Sequence, residues 1–249
     1  FEKWCQSLCS ILSLKPPKIG IQLNYRFVNE NDNTIVSNPL RPVGFEISTL
    51  KSKSSITESN IEQLHLYEIK LPKGLHYSTG DIIEILPENA LESTDRTIEA
   101  LKLNPNQVFT LISNDSTQET FIPEKVSTRQ LFSQYLDLNG LPNRSLLRAF
   151  LEVANEEGTE RLTKLLDVNN PDYSKQFLED MNTCEFICEF VKYGIPSLDV
   201  IVSSCPHIKP RQYMIASSPM KSANMASLLI YSHKFGKDNQ RHGLCSSFL

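Results

Sequence analysis

The sequence predicts an α+β protein in which an antiparallel β-barrel is interrupted by an inserted all-helical segment. Three observations predict it. Short stretches of alternating apolar and polar residues, separated by polar turns, occupy residues 17–126. A helical apolar period takes over across 127–203, and the strand pattern returns in 204–249. Strands that follow one another across short turns, with little helical pattern between them, pair antiparallel rather than in βαβ units.

Residues 1–16 read as an amphipathic helix, because Phe1, Trp4, Cys5, Leu8, Ile11 and Leu12 fall on one face. No cap precedes it, as expected of a chain cut from a longer one, and Pro16 and Pro17 stop it. Ile21, Leu23, Tyr25 and Phe27 alternate with polar residues and form a half-buried strand. The Asn-rich stretch 29–42 is a loop. Further strands are expected at Phe45–Leu50, Leu64–Leu71, Ile82–Leu86 and Val108–Ile112, with a turn at Pro72–Gly74. From Thr128 the spacing changes. Leu131, Phe132, Tyr135 and Leu136 predict a helix, as do Leu146, Leu147, Phe150, Leu151 and Ala154, continued by Leu162, Leu165 and Leu166. Phe177, Leu178 and Met181 predict another, and Phe186, Ile187, Phe190 and Val191 one more. A strand returns at Ser227–Tyr231.

The 249 residues are enough for a real core and one or two domains. Charged residues make up 22 % and hydrophobic ones 40 %, which fits a soluble globular protein. No apolar run is long enough for a spanning helix, and nothing reads as a secretory leader. The net charge of −4 argues against nucleic acid as the main partner. Cys5, Cys9, Cys184, Cys188, Cys205 and Cys245 are scattered rather than arranged as a disulfide framework. Cys5/Cys9 and Cys184/Cys188 each share a helical face. They read as buried reduced thiols, with a cytoplasmic location as the default. A zinc set drawn from Cys184, Cys188, Cys205 and His207 is the alternative, although their spacing is unusual for one.

Three segments offer chemistry. Tyr77-Ser78-Thr79-Gly80-Asp81 runs into a strand that ends Pro87-Glu88-Asn89, and by itself reads as a Gly-Asp turn. In Arg211-Gln212-Tyr213-Met214-Ile215-Ala216-Ser217-Ser218-Pro219, a strand would put Arg211 and Tyr213 on one face. That is either a phosphate fork beside a stacking plate or a surface Arg beside a half-buried Tyr. In Gly243-Leu244-Cys245-Ser246-Ser247-Phe248-Leu249, the glycine allows close backbone approach, and Ser246 or Ser247 could cap a helix whose N-terminus receives an anion. The other reading is an ordinary loop-to-helix junction. Arg211 and this junction together would bracket a diphosphate from two sides, which is what a dinucleotide requires.

In this order and spacing the three segments resemble the FAD-binding module of NADPH-dependent diflavin reductases, the group of cytochrome reductases and the sulfite reductase flavoprotein. Arg211–Pro219 is similar to R-x-Y-S-I-A-S-S-P, Tyr77–Asn89 to Y-x-x-G-D followed by P-x-N, and Gly243–Leu249 to G-[VG]-[CA]-[ST]-x-[WYF]-L. Residues 127–203 resemble the family's helical connecting domain, and Phe1-x-x-Trp4 the last helix of its flavodoxin-like FMN domain. The resemblance implies a ferredoxin-reductase-like FAD barrel in two parts, 17–126 and 204–249. It implies that Arg211 binds the FAD pyrophosphate, Tyr213 lies against the isoalloxazine, Ser217 belongs to the cofactor-binding set, and Gly243, Leu244, Cys245 and Ser246 hold the pyrophosphate. Met214 departs from the family's Ser near flavin N5, and Met cannot donate a hydrogen bond. The implied activity is electron transfer from NADPH through FAD to FMN and on to a protein acceptor. The FMN and NADPH sites are expected in flanking domains of a longer parent, where a membrane anchor is also conceivable. A non-catalytic adaptor that keeps the fold is the rival expectation, and Met214 is the feature that favours it.

Overall fold

The structure is a computed structural model that describes residues 25–29, 45–57, 62–113, 122–167, 169–170, 175, 180–235 and 241–249. The opening helix, Cys5 and Cys9, the strand residues before Tyr25, and Phe177 and Leu178 lie outside the described residues.

Nine strands and seven α-helices are described. The first strands are β1 (Tyr25–Asn29), β2 (Thr49–Ser55), β3 (Glu62–Lys70) and β4 (Ile82–Ile85). After helix α1 (Leu91–Ala100) come β5 (Val108–Ser113) and β6 (Lys125–Ser127). The helices α2 (Thr128–Gln130), α3 (Arg144–Leu151), α4 (Glu156–Leu166), α5 (Thr183–Phe190) and α6 (Leu198–Ser204) follow. The chain then forms β7 (Arg211–Met214), β8 (Met225–Phe235), β9 (Arg241–His242) and α7 (Leu244–Phe248). Every strand pairing among the described residues is antiparallel.

The strands divide among three sheets, ordered β1-β5-β6, β2-β3-β8-β9 and β4-β7. An isolated bridge, Ile215 to Leu228, ties the second to the third. No closed barrel forms among the described residues, so the expectation is met only in its coarser part, an α+β fold with antiparallel sheets. β5 and β6 are drawn away from the other strands because they pack with the helices: Leu111 and Val126 share a core with Leu131, Phe132, Leu147 and Phe186.

Several elements differ from the sequence reading, α1 and β2 among them. α1 lies where only strands and turns are expected. Its inner face is Thr94, Thr97 and Ile98, so hydroxyl-bearing residues replace the aliphatic stripe that marks a helix. The strand expected at Phe45–Leu50 begins instead at Thr49 and runs on through Ser55. All seven residues of β2 are exposed, and it is an edge strand held by backbone pairing to β3 rather than by burial.

The helix expected from Thr128 begins with a capping box between Ser127 and Gln130 and then widens into a π-turn, Leu131–Tyr135. Asn89, the last residue of the P-x-N segment, fills the gap this creates. Its amide donates to the carbonyls of Phe132 (2.8 Å) and Leu136 (2.5 Å), while its side-chain oxygen accepts from Leu138 N–H (3.2 Å). Its own backbone N–H reaches the Ser133 carbonyl.

Two cores result. The larger one runs from Ile98 and Leu101 through the helices to Cys205. The smaller one lies on the sheets, around Tyr67, Ile69, Leu71, Ile215, Ala226, Leu228 and Ile230. Cys184, Cys205 and Cys245 are buried and Cys188 partly so, all as free thiols. Burial pushes the Cys205 thiol up, which keeps it protonated. Among the described residues, no group of three or more His, Cys, Asp or Glu side chains gathers as a metal site would require. No helix of the described residues is long and apolar enough to cross a membrane.

Candidate functional site

The Tyr77 segment acts as a buttress. Gly80 has φ +89°, a conformation only glycine adopts without strain, and it closes a turn in which Asp81 accepts from Ser78 N–H at 2.7 Å. The Tyr77 hydroxyl shares a 2.9 Å hydrogen bond with the Ser217 hydroxyl and donates to the Met225 carbonyl at 2.8 Å. Ser217 also accepts from Ser227 N–H at 2.9 Å. The Asp81 carbonyl receives Ile215 N–H at 2.8 Å. These bonds lock the turn after β7 against β8.

β7 pairs with β4, so that Tyr213 stands opposite Ile83 and Arg211 opposite Ile85. Strand alternation places Arg211 and Tyr213 on one face and Gln212 and Met214 on the other. Gln212 is taken up there by Glu84 at 2.7 Å. Arg211 is exposed, and its guanidinium spends one donor on the Lys209 carbonyl at 3.2 Å. Tyr213 is half-buried; burial and a hydrogen bond with the Cys245 thiol push its hydroxyl up, so it stays protonated. Burial likewise pushes the Cys245 thiol up, against smaller opposing effects of Tyr213 and Arg211. That contact links β7 to α7.

α7 begins at Gly243, which has extended backbone geometry and no capping side chain. Ser246 turns its hydroxyl back onto the Gly243 carbonyl at 3.0 Å rather than capping the first amides. The N–H groups of the first turn have no intrahelical acceptor.

Arg211, Tyr213, Gly243, Leu244, Cys245 and Ser246 all line one cavity of about 590 Å³. Of the eight residues the sequence singles out, these six are brought together. Met214, 68 % exposed, and Ser217, committed to Tyr77 and Ser227, do not line it. The sequence reading misses two further walls. Leu229, Ile230 and Tyr231 form one, on β8. Asp137, Asn139, Gly140 and Leu141 form the other, on the loop leaving the π-turn. The signal for β8 is present in Leu228-Leu229-Ile230-Tyr231, an apolar run on both strand faces, which a strand covered on one side does not need. Asn139-Gly140 reads only as a turn.

The donor set fits FAD. A guanidinium and the uncapped amides of a helix start suit a pyrophosphate, and the Leu141, Leu229 and Tyr231 walls suit planar rings. The Asp137 carboxylate is partly neutralised by backbone donors, accepting from Asn139 N–H at 3.1 Å and Gly140 N–H at 2.7 Å.

Comparison with known proteins supports the same conclusion. The model of the FAD binding domain family matches residues 48–248. NADPH-dependent diflavin oxidoreductase 1 from Mus musculus is 30 % identical over 186 residues, covering 70 % of this chain and 31 % of the relative. The same-named protein from Bos taurus is 29 % identical over 205 residues, 77 % of this chain and 34 % of its own length. NADPH–cytochrome P450 reductase from Dictyostelium discoideum is 27 % identical over 226 residues, 88 % and 33 %. The chain thus spans about a third of the length of these relatives. With the match running from β2 to the end of α7 and taking in every wall of the cavity, this chain belongs to the FAD binding domain family, of the diflavin reductase type.

Proposed function

We propose that the cavity between β7, β8 and α7 holds FAD, and that the chain is the FAD-binding portion of an NADPH-dependent diflavin oxidoreductase. In this proposal the Arg211 guanidinium and the amides of Leu244, Cys245 and Ser246 neutralise the pyrophosphate from two sides. Tyr213, half-buried beside Cys245, presents its ring to the flavin. Leu229, Tyr231 and Leu141 exclude water from the apolar parts of the cofactor. Bound FAD supplies the chemistry of accepting a hydride and releasing single electrons, and the chain supplies position and electrostatics. The FAD domain is read as a two-part barrel, 17–126 and 204–249, around a connecting domain at 127–203, with 1–16 as the end of an FMN domain. NADPH and FMN bind in other domains of a longer parent, and a protein acceptor takes the electrons. A cytoplasmic location completes the proposal.

The observation that carries this reading is the convergence of Arg211 and the Gly243 turn on one cavity. Its test is reconstitution with FAD. The protein is expected to take on the flavin absorption bands and to quench flavin fluorescence on titration. Arg211→Ala is expected to weaken binding by about a hundredfold, the loss of a charge-assisted phosphate contact. A folded protein that stays colourless in excess FAD would rule out the reading.

A further inference from the structure

The Gly243 turn has little support of its own. The strand leading into it, β9, is two residues long and, among the described residues, pairs Lys234 with His242 and Phe235 with Arg241. Part of what fixes it comes from the helical segment. The Arg241 guanidinium reaches the Glu185 carboxylate at 2.6 Å and also donates to the Asp180 carbonyl. Asn139 donates its amide to the His242 carbonyl at 3.1 Å.

Those partners are themselves held rigidly. Glu185 closes the capping box of α5: its carboxylate accepts from Asn182 N–H at 2.9 Å, while Asn182 accepts from Glu185 N–H at 2.8 Å. The start of α5 binds the cavity loop, through Thr183 N–H to the Gly140 carbonyl and Cys184 N–H to the Leu138 carbonyl. A Cβ at Gly140 would come within 2.8 Å of the Asp137 carboxylate and would have to displace it. The start of α5, the 137–141 loop and the Gly243 turn are therefore one cross-linked unit, and the last two are walls of the same cavity.

We propose that Glu185 and Arg241 are positioning residues for the cofactor: neither lines the cavity, yet their ion pair sets where the Gly243 amides point, so that the helical segment acts as a working part of the FAD site. The inference rests on the FAD reading and deepens it. The Arg241 side chain is 15 % exposed and that of Glu185 40 %, so the pair is screened less than a surface bridge. Removing either partner takes away the charge that the other meets at 2.6 Å. The turn then samples positions in which its amides no longer meet an anion.

The experiment measures the FAD dissociation constant and dissociation rate of the wild-type protein and of Glu185→Gln, Arg241→Gln and the double variant. Each single variant is expected to bind about tenfold more weakly, mostly through faster dissociation. The double variant should be little worse than either single, because the two residues act as one element. Glu189→Gln, on the same helix but paired with Arg161 at 2.6 Å, should leave FAD binding unchanged. Thermal melts without FAD show whether a variant is merely less folded. If the wild type binds FAD and the folded variants bind equally well, the positioning role is overturned and the FAD reading stands. Additive losses in the double variant, or a loss that only tracks the melting temperature, overturn it too. Failure of the wild type to bind FAD removes the reading beneath it.

Discussion

Met214 shows how far a single residue can be read. The family resemblance sets it beside the reactive edge of the flavin, where a hydroxyl would donate a hydrogen bond. The structure puts it one residue beyond Tyr213, outside the cavity wall and 68 % exposed. Exposure means that substitution there costs little stability, so chemistry can be tested cleanly. Met214→Ser is expected to leave FAD affinity within about twofold, as for a residue outside the cavity wall. Titration of flavin fluorescence measures it. A loss of more than about tenfold would mean that position 214 touches the cofactor. Arg211, Tyr213 and the Gly243 turn were legible because charge, aromatic spacing and glycine are chemical signals in the sequence itself. Tyr231, Leu229 and Asn139 were not. An exposed strand face and a turn look alike whether they border solvent or a cavity.

At the scale of elements, legibility followed the source of each element's stability. Helices α3 and α5 bury leucines and phenylalanines at helical spacing, so their pattern was visible, while their caps, Asn143 and Asn182, emerge only with the structure. α1 was hidden because threonines make its buried face, and β2 because nothing in it is buried. The π-turn was hidden because its cause lies elsewhere in the chain. Asn89, over forty residues earlier, supplies the partners that an extra residue in the turn removes. Asn89→Ala would leave two carbonyls and one N–H buried without partners. It is expected to lower unfolding free energy by about 3 kcal/mol, each orphaned group costing roughly 1 kcal/mol or more. Urea unfolding measures this against Asn106→Ala, an exposed loop position expected to change stability by less than about 0.5 kcal/mol. A loss below about 1 kcal/mol at Asn89 would show that the π-turn stands without it.

For the molecule as a whole, the question is how the helical core and the sheet core are held in register, and the answer lies in a short seam. Asp137 N–H binds the Pro206 carbonyl at 2.7 Å, Ile208 N–H binds the Tyr135 carbonyl at 2.8 Å, and Leu136 bridges to His207. The seam leaves the π-turn on one side and leads into β7, and so to Arg211, on the other. His207 sits within it, its Nε2 3.2 Å from the Val202 carbonyl. Burial disfavours the charged imidazolium and holds its pKa below the ordinary 6.5, with the Val202 contact opposing only in part. The unfolded chain therefore takes up this proton at a higher pH than the folded one. Stability from His207 is complete above pH 6.5 and is lost as pH falls toward the lower folded value. Because that loss acts on the seam carrying β7, thermal melts should fall faster between pH 7 and pH 5 in the wild type than in His207→Gln, which keeps a polar side chain but cannot titrate there. Equal slopes in the two proteins would show that the seam holds the cores together without a titrating group, and that any acid sensitivity arises elsewhere in the fold.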